Sequence, residues 1–509
     1  MQTYAAIDIG SNSCRLKIAR VQQHQLKILQ EDREVTRLGE SVFETGMVSP
    51  EAMASTLVAL KRFHREVKQH SAERVRAVAT SALRDALNGQ AFIAWVKSET
   101  GWDVEVISGL EEARLIHRGV MSEPGTQGRC LLIDLGGGSC EITISDRRRI
   151  QETVSLPLGA VRLTKEFIPT DPPTTEELAR LRQFIDRELR KAERRLGNLR
   201  VSQVIATSGT AAALWEASQE SRKGKPAGKA KALADTRSVR RLTTRLTHMN
   251  NAQRSSVPGI GPRRSEIVVA GAQVYAALLE KFGLPGFVYS PLGMRDGILM
   301  QMLTEEDPKA SDHQRFEQER WQGVLATCNR YGVDPKQAEP VRQHALQLFR
   351  DLQSVHDLPP EYGSWLEAAA MMRDVGKFMN YQGHHRHAQY IIANSELSGF
   401  TPQQRAIMAA IARYLGKSRP VPDDRTMRVI SPEDFARVQR AVVLLRLAVA
   451  LNQDRASDVL KVSLRAYPKR VLMVLSPGRT GAELELWSLR KEADYFREVF
   501  RRELFVAVE

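Results

Sequence analysis

The chain has 509 residues, enough for several domains that each bury a core. Lys plus Arg exceeds Asp plus Glu by 74 − 60 = 14, so the partner is expected to be a polyanion, unless the excess is a solvated basic surface. Cys14, Cys130, Cys140 and Cys328 lack metal-ligand spacing, no window approaches the roughly 18 apolar residues of a membrane span, and Asp8 interrupts the first apolar run; these features argue against a disulfide framework, a membrane anchor and a secretory leader, and a cytoplasmic protein is expected.

Residues 1–30 read as two or three strands around the turn Asp8-Ile-Gly-Ser-Asn-Ser13. Pro50–His70 carries Met53, Leu57, Leu60 and Val67 near helical spacing. Val75–Ala79 reads as a buried strand running into Thr80-Ser81-Ala-Leu-Arg84-Asp85. Ser81 is expected to cap a helix, which places Arg84 in a first turn where a cation is electrostatically misplaced. Two readings fit: an anionic ligand shared by Arg84 and the amides, or an Arg84–Asp85 pair. A strand at Val104–Ile107 leads into Ser108-Gly-Leu-Glu111-Glu112, with capping-box spacing from Ser108 to Glu111. Glu112 is then the uncommitted carboxylate, above Leu115 and Ile116. It is either a solvated residue or, with its pKa raised by apolar neighbours, a general base.

Residues 122–129 form a polar boundary. Beyond them an apolar run ends in Asp134-Leu-Gly136-Gly137-Gly138-Ser139-Cys-Glu141 and an alternating strand to Ile144. This unit aligns without a gap on Asp8–Ile18: Asp, Gly, Ser, Cys and the last Ile coincide. Glycine lets such a turn tighten and lets a ligand approach, and successive amides form a nest for anions. Two copies predict a duplicated α/β domain with two phosphate loops, residues 11–13 and 136–139, facing one cleft. Downstream come Ser155–Ala160 (strand and turn), a charged helix over 174–198, and a strand at Val201–Ala206. Thr207-Ser-Gly209-Thr210 follows, either an anion site at a helix N-terminus or an ordinary cap. The basic stretch 221–245 (Arg222, Lys223, Lys225, Lys229, Lys231, Arg237, Arg240, Arg241, Arg245) has no interleaved aromatics, so nucleic acid is not expected. It reads as a solvated loop or a guide for a polyphosphate chain. Pro258–Arg264 is a turn with paired bases, Ile267–Leu279 a helix, Phe287–Ser290 a strand, Gly293–Leu303 a helix and Thr304–Ser311 a linker.

Taken together, Asp8–Ser13, Ser108–Ile116, Asp134–Glu141, Ala206–Thr210 and Ser290-Pro-Leu-Gly-Met-Arg-Asp-Gly297 resemble the exopolyphosphatase / guanosine pentaphosphate phosphohydrolase family. The resemblance covers residues 1–303 in the family's order. It implies duplicated actin-like (ribonuclease H-like) α/β domains, halves 1–125 and 126–303. It further implies Glu112 as catalytic base and Asp134 and Glu141 as carboxylates that place Mg²⁺. Phosphate would be bound by Ser11, Asn12, Ser13, Arg84, Gly136, Gly137, Gly138, Ser139, Gly209 and Thr210. Cys140, where the family more often has Thr, and Cys14-Arg15 depart from the pattern, past the nest. The implied activity is stepwise release of orthophosphate from inorganic polyphosphate, with removal of the terminal phosphate of guanosine pentaphosphate as the alternative. A kinase of the same fold and a non-catalytic polyphosphate or nucleotide sensor are further alternatives. A homodimer is expected.

From residue 312 helix periodicity dominates. His344 and Arg373-Asp374-Val-Gly-Lys377 resemble an HD domain, a helical metal phosphohydrolase, with Arg373 where the pattern has His and Asn452 where it has its last Asp. A cation in a ligand position disfavours metal, so 312–455 is expected to be an HD-like domain without its metal. The His384-His-Arg-His387 run is a surface cluster or part of a basic path toward the cleft. Residues 456–509 read as a small α+β domain: strands Val459–Leu464, Val471–Leu475 and Ala482–Leu486, closed by a helix Lys491–Leu504.

Overall fold

The first strand, β1 (Thr3–Ile9), is apolar and almost wholly buried, so it needs a neighbour on each edge. It finds β2 (Cys14–Gln22) antiparallel on one side and β4 (Arg74–Ala79) parallel on the other; β3 (Gln25–Glu34) and β5 (Val104–Val106) complete a five-stranded sheet, order β3-β2-β1-β4-β5. Its helices are α1 (Leu38–Thr45), α2 (Pro50–Gln69), α3 (Ser81–Asp85), α4 (Gly89–Thr100) and α5 (Gly109–Met121). α2 starts where expected, because Ser49 accepts from Ala52 N at 3.2 Å and Pro50 fills the first turn.

A second sheet repeats the first. It contains β6 (Cys130–Leu135), β7 (Cys140–Asp146), β8 (Arg149–Leu156), β9 (Gln203–Thr207), β10 (Leu233–Asp235) and β11 (Gly286–Tyr289). The order β8-β7-β6-β9-β11 matches β3-β2-β1-β4-β5, with β10 added at one edge. Even the irregularity recurs: β2 slips register against β3 at Ile18/Ala19, and β7 against β8 at Ile144/Ser145. The copy extends beyond the glycine turns, since Ala79-Thr80-Ser81 ends β4 as Ala206-Thr207-Ser208 ends β9. The helices here are α6 (Ala160–Phe167), α7 (Thr175–Leu196), α8 (Ser208–Glu220), α9 (Thr236–Thr247), α10 (Asn251–Ser255), α11 (Val268–Lys281) and α12 (Met294–Glu306). α5 and α12 lie between the sheets: one apolar cluster joins Tyr4, Ala6 and Val78 to Leu132 and Ile205 through Leu115, Ile116, Ile298 and Leu299.

The computed structural model describes residues 2–509 except 24, 124–127, 198–199, 221–232, 307–312, 396, 398, 417, 454–458 and 477–480. The centre of the boundary turn, the bases Arg222–Lys231 and most of the linker therefore lie outside the described residues. The chain divides into two compact units, Met1–His313 and Gln314–Glu509.

The second unit is built on α13 (His313–Arg330), α14 (Pro335–Asp351), α15 (Gln353–His356), α16 (Glu361–Met372), a 3-10 turn (Val375–Phe378), α17 (His384–Asn394), α18 (Pro402–Arg413) and α19 (Pro432–Ala450). β12 (Lys461–Ala466), β13 (Arg470–Ser476), α20 (Glu483–Phe500) and β14 (Glu503–Val508) follow. The anticipated boundary near 456 does not separate two cores: Val471, Leu489 and Phe496 belong to one cluster with Leu366, Met408 and Leu444. Two elements also differ from expectation. Ala482–Leu486 opens α20 rather than forming a strand, because Ala482, Glu485 and Leu489 are buried at helical spacing while Leu484 and Trp487 are exposed. The expected helix to Leu504 stops at Phe500, since Arg501 turns left-handed (φ 55°) and releases β14 to pair in parallel with β13.

Candidate active site

The two glycine turns are the same structure. Gly10 N donates to Ser13 O at 3.2 Å, and Gly136 N to Ser139 O at 3.0 Å. Each turn sets the last residues of one strand opposite the first of the next, so Asp8 faces Arg15 and Asp134 faces Glu141. The copies have thus diverged in charge at one position.

Glu112 arrives from α5. Ser108 caps that helix, accepting from Glu111 N at 3.1 Å. The return half of the box is not formed; Glu111 pairs with Arg114 at 3.7 Å. The cap fixes the first turn, so Glu112 projects between the sheets and is 7% exposed. Ligand atoms of Glu112, Asp134 and Glu141 lie within 4.8 Å of one another. Ser155 Oγ donates to Glu141 Oε1 at 2.7 Å. Glu141 Oε2, Glu112 Oε2 and Asp8 Oδ1 are buried without a hydrogen-bond partner among the described residues. Burial and the neighbouring Glu141 push Glu112 well up, with Arg84 opposing. Glu141 rises through burial and Asp134. Asp134 is raised to about 6 by burial and Asp8, against the pull of Arg15. Orphaned, mutually repelling carboxylate oxygens are the donor set a hard divalent cation requires, so the residues present fit Mg²⁺.

α3 is a single short turn, Ser81–Asp85, with Thr80 in the N-cap position and no side-chain cap. Ser81 is its first residue rather than its cap, so Arg84 stands one residue farther along than expected, and its N–H closes the turn on Thr80 O at 3.0 Å. Arg84 Nη1 donates to Ile107 O at 2.7 Å and stands 3.8 Å from Glu112 Oε2. The alternative Arg84–Asp85 pair gives way to Arg162, which takes Asp85.

The phosphate-binding candidates divide. Ser11 Oγ and Asn12 Nδ2 are buried and without a hydrogen-bond partner among the described residues, while Ser13 Oγ accepts from Arg15 Nε at 3.4 Å. A Cβ on Gly137 would lie 3.0 Å from Ser11 Cβ, so the loops meet. The Gly136 amide is committed to its own turn, so of that loop's candidates Gly137, Gly138 and Ser139 remain. Gly209 makes room for a guanidinium: a Cβ there would lie 1.7 Å from Arg264 Nη2. Thr210 is 1% exposed, with its methyl toward Gly271 and its hydroxyl without a hydrogen-bond partner among the described residues. Ser208, between β9 and α8, holds a left-handed φ of 75° and donates to Leu135 O at 2.7 Å, beside Asp134. For a residue with a Cβ this conformation is strained and needs such fixing.

A family model described as the Ppx/GppA phosphatase family matches residues 17–306, more than half of the chain. The chain belongs to that family. A second model, Ppx/GppA phosphatase domain III, matches residues 320–493. Among solved structures, the Aquifex aeolicus member of the Ppx/GppA family is similar at 30% identity and TM-score 0.51, covering 60% of this chain and 99% of its own. An exopolyphosphatase from Cytophaga hutchinsonii is similar at 29% identity and TM-score 0.56, covering 60% and 98%.

In this Ppx/GppA chain the sequence reading missed a wall of arginines. Burial and repulsion from Arg15, Arg263 and Arg295 lower Arg33 to about 10, and its Nε and Nη2 have no hydrogen-bond partner among the described residues. Burial with Arg15 and Arg33 lowers Arg264 to about 9. Arg295 is lowered by burial and Arg15, and donates to Leu16 O at 2.8 Å. These residues come from β2, β3, the turn before α11 and α12; Arg15, Arg264 and Arg295 lie in stretches singled out above, but no local signal indicated that they meet. Asp8 was missed as a fourth carboxylate, although its alignment with Asp134 was the signal.

In the second unit, Asp374 is held by Lys377 Nζ at 2.9 Å, Arg373 at 3.5 Å and His384 Nε2 at 3.6 Å. Burial alone would raise it, but Arg373 and Lys377 outweigh burial and lower it. Burial lowers His344 to about 4, so it is a neutral imidazole. Neither belongs to a three-ligand grouping among the described residues. No described helix is long and apolar enough to cross a membrane.

Proposed function

We propose that this Ppx/GppA phosphatase hydrolyses a terminal phosphoanhydride bond, releasing orthophosphate from inorganic polyphosphate, with Glu112 as general base. The observation that carries the reading is Glu112 itself: buried, with Oε2 lacking a hydrogen-bond partner among the described residues, within 4.8 Å of Asp134 and Glu141, and 3.8 Å from Arg84. Asp134 and Glu141 would hold Mg²⁺, which offsets phosphoryl charge and, by neutralising the acids that raise Glu112, favours its basic form. Glu112 accepts a proton from water as the water oxygen bonds to the terminal phosphorus. The bridging P–O bond breaks, and the shortened chain leaves with its electron pair. Arg84 and the turns 11–13 and 137–139 hold the phosphate oxygens. The self-repelling arginines Arg15, Arg33, Arg264 and Arg295 are stabilised by the next phosphates of the chain.

Guanosine pentaphosphate is the second reading. Tyr289, packed on Trp215 at 5.9 Å between ring centroids, feels the charges of Arg15 and Arg264, a setting where a base could stack beside a bound phosphate chain. The same proposal takes 1–125 and 126–303 as actin-like halves, the helical unit as HD-like with a degraded metal site, and the enzyme as a cytoplasmic homodimer. Phosphate release from long-chain polyphosphate, guanosine pentaphosphate and ATP, each with Mg²⁺ or EDTA, tests it. Fastest Mg²⁺-dependent release from polyphosphate is expected. Preference for guanosine pentaphosphate moves the assignment to the second reading, and no release from any of the three refutes both.

A further inference from the structure

The two glycine turns come from different halves of the first unit, yet they touch. A Cβ on Gly138 would lie 2.4 Å from Ser81 Oγ and 2.8 Å from Phe43 Cζ, and one on Gly137 would lie 3.2 Å from Asn12 N. Glycine permits this approach but supplies no attraction. The apolar cluster around α5 and α12 joins the halves at their base; at the turns themselves the attraction comes from Arg162. α6 is seated on the second turn, with Ala160 N bonded to Gly136 O at 3.0 Å and Val161 N to Gly137 O at 2.9 Å. The Arg162 side chain then leaves that half. Its Nε donates to Gly138 O at 2.9 Å, and its Nη2 donates to Ser81 Oγ at 3.1 Å and to Asp85 Oδ2. Its guanidinium lies 4.1 Å from the Phe43 ring centroid. Phe43 itself packs against the cores of both halves. Ser81 and Asp85 flank Arg84 on α3.

A lone ion pair at this exposure (21% and 38%) would be worth little. Here the planar fork of one guanidinium bonds a backbone carbonyl, a hydroxyl and a carboxylate and covers an aromatic face, a set lysine cannot reproduce. Two pairs near the glycine turns, Lys165–Glu40 at 3.1 Å and Arg37–Glu266 at 2.9 Å, have more exposed cations and are more screened; the buried pair Lys17–Asp296 at 2.6 Å also joins the halves, but through β2 and α12 rather than at the turns.

We propose that Arg162 is a positioning residue: it latches the two halves together and so holds α3, and with it Arg84, against Glu112. The catalytic part of this rests on the hydrolysis proposed above; the latch does not. Without Arg162 the halves separate part of the time, and apparent affinity falls by the fraction of time that they are together. KM therefore rises, while the complex that does form turns over as before.

Spin labels at the exposed positions Arg65→Cys on α2 and Gln183→Cys on α7 report the separation in the full-length protein, because all four native cysteines are buried. One narrow distance is expected with Arg162 present. Arg162→Ala and Asp85→Ala should each add a longer population, and the double variant no more than either, since the two act as a unit. In kinetics Arg162→Ala should raise KM about tenfold with kcat within about twofold, added guanidinium should restore it, and Arg162→Lys should not. If Arg162→Ala fails to fold, Arg162→Lys and Asp85→Asn carry the same comparison. Unchanged label distances, a fall in kcat at constant KM, or additive single effects overturn the latch. If no substrate is turned over, the label distances still decide it, and the functional reading alone is lost.

Discussion

Glu112 is charged only at a cost. It is buried beside Glu141 and Asp134, and this places two opposite expectations on one substitution. Glu112→Gln keeps the shape and removes a repelled carboxyl group, so the melting temperature should be equal or higher. Phosphate release should fall by ~10²–10⁴, the usual loss with a general base. A variant that melts earlier and still turns over would refute both parts. The pH response of the metal-free protein has a definite sign. Glu112, Asp134 and Glu141 all have folded pKa values raised above the unfolded ones, Asp134 to about 6. From about pH 4, where unfolded carboxylates titrate, the folded state holds protons that the unfolded chain has released, so stability falls as pH rises through the folded values. In EDTA the melting temperature should drop from pH 5 to pH 8, less so in Glu141→Gln, and Mg²⁺ should flatten the drop. Equal slopes for wild type and Glu141→Gln would show that these carboxylates are not the source.

α5 carries Glu112, and its position depends on α12. A Cβ on Gly297 would lie 1.8 Å from Leu115 O, and one on Gly119 would lie 2.1 Å from Gly293 O. These are backbone obstacles, which cannot rotate away. Gly297→Ala should therefore cost roughly 1–3 kcal/mol by overpacking and reduce turnover as well, because relief comes from shifting α5. Measured unfolding and turnover should fall together; a stable variant with normal kcat would mean that the helices separate without moving Glu112. The duplication was legible because a phosphate-sized turn tolerates few sequences at fixed spacing, so Asp8–Ile18 and Asp134–Ile144 could be laid side by side. The roles of Glu112, Asp134 and Glu141 came instead from the family resemblance, and the one carboxylate that the alignment itself pointed to, Asp8, was missed. Ser81 misled because its place after a strand imitates a cap, whereas its hydroxyl is engaged by Arg162. Residues 482–486 misled because alternation in Ala-Glu-Leu-Glu-Leu says nothing of which face is buried, and Glu485 rather than Leu484 turns inward. Arg15, Arg264 and Arg295 stood in stretches already noted, but their convergence with Arg33 was not legible, because the four come from separated segments.

At the scale of the whole chain the excess of 14 positive charges must act on something. On the proposed function a terminal phosphate would engage only a few cations: Arg84 beside Glu112, and Arg15, Arg33, Arg264 and Arg295. In the helical unit, charge also gathers at Lys377, His384–His387 and Arg413, whose fields reach His385 or Asp374. A long polyphosphate carries about one charge per residue and can occupy many such positions, each releasing counterions; a short substrate occupies few. For a single-stranded phosphate chain the logarithm of affinity falls with the logarithm of salt by about 0.7 per phosphate neutralised. The apparent affinity for long-chain polyphosphate should therefore fall steeply between 50 and 200 mM salt (about ten- to a thousandfold for several phosphates), while that for a tripolyphosphate falls several times less. Removing residues 314–509 should reduce the long-chain slope toward the short-chain one and leave Mg²⁺-dependent turnover of tripolyphosphate in place, because the carboxylates and Arg84 all belong to the compact unit Met1–His313. Equal slopes in the full chain would confine recognition to the terminal phosphates, and guanosine pentaphosphate would then be the better substrate assignment.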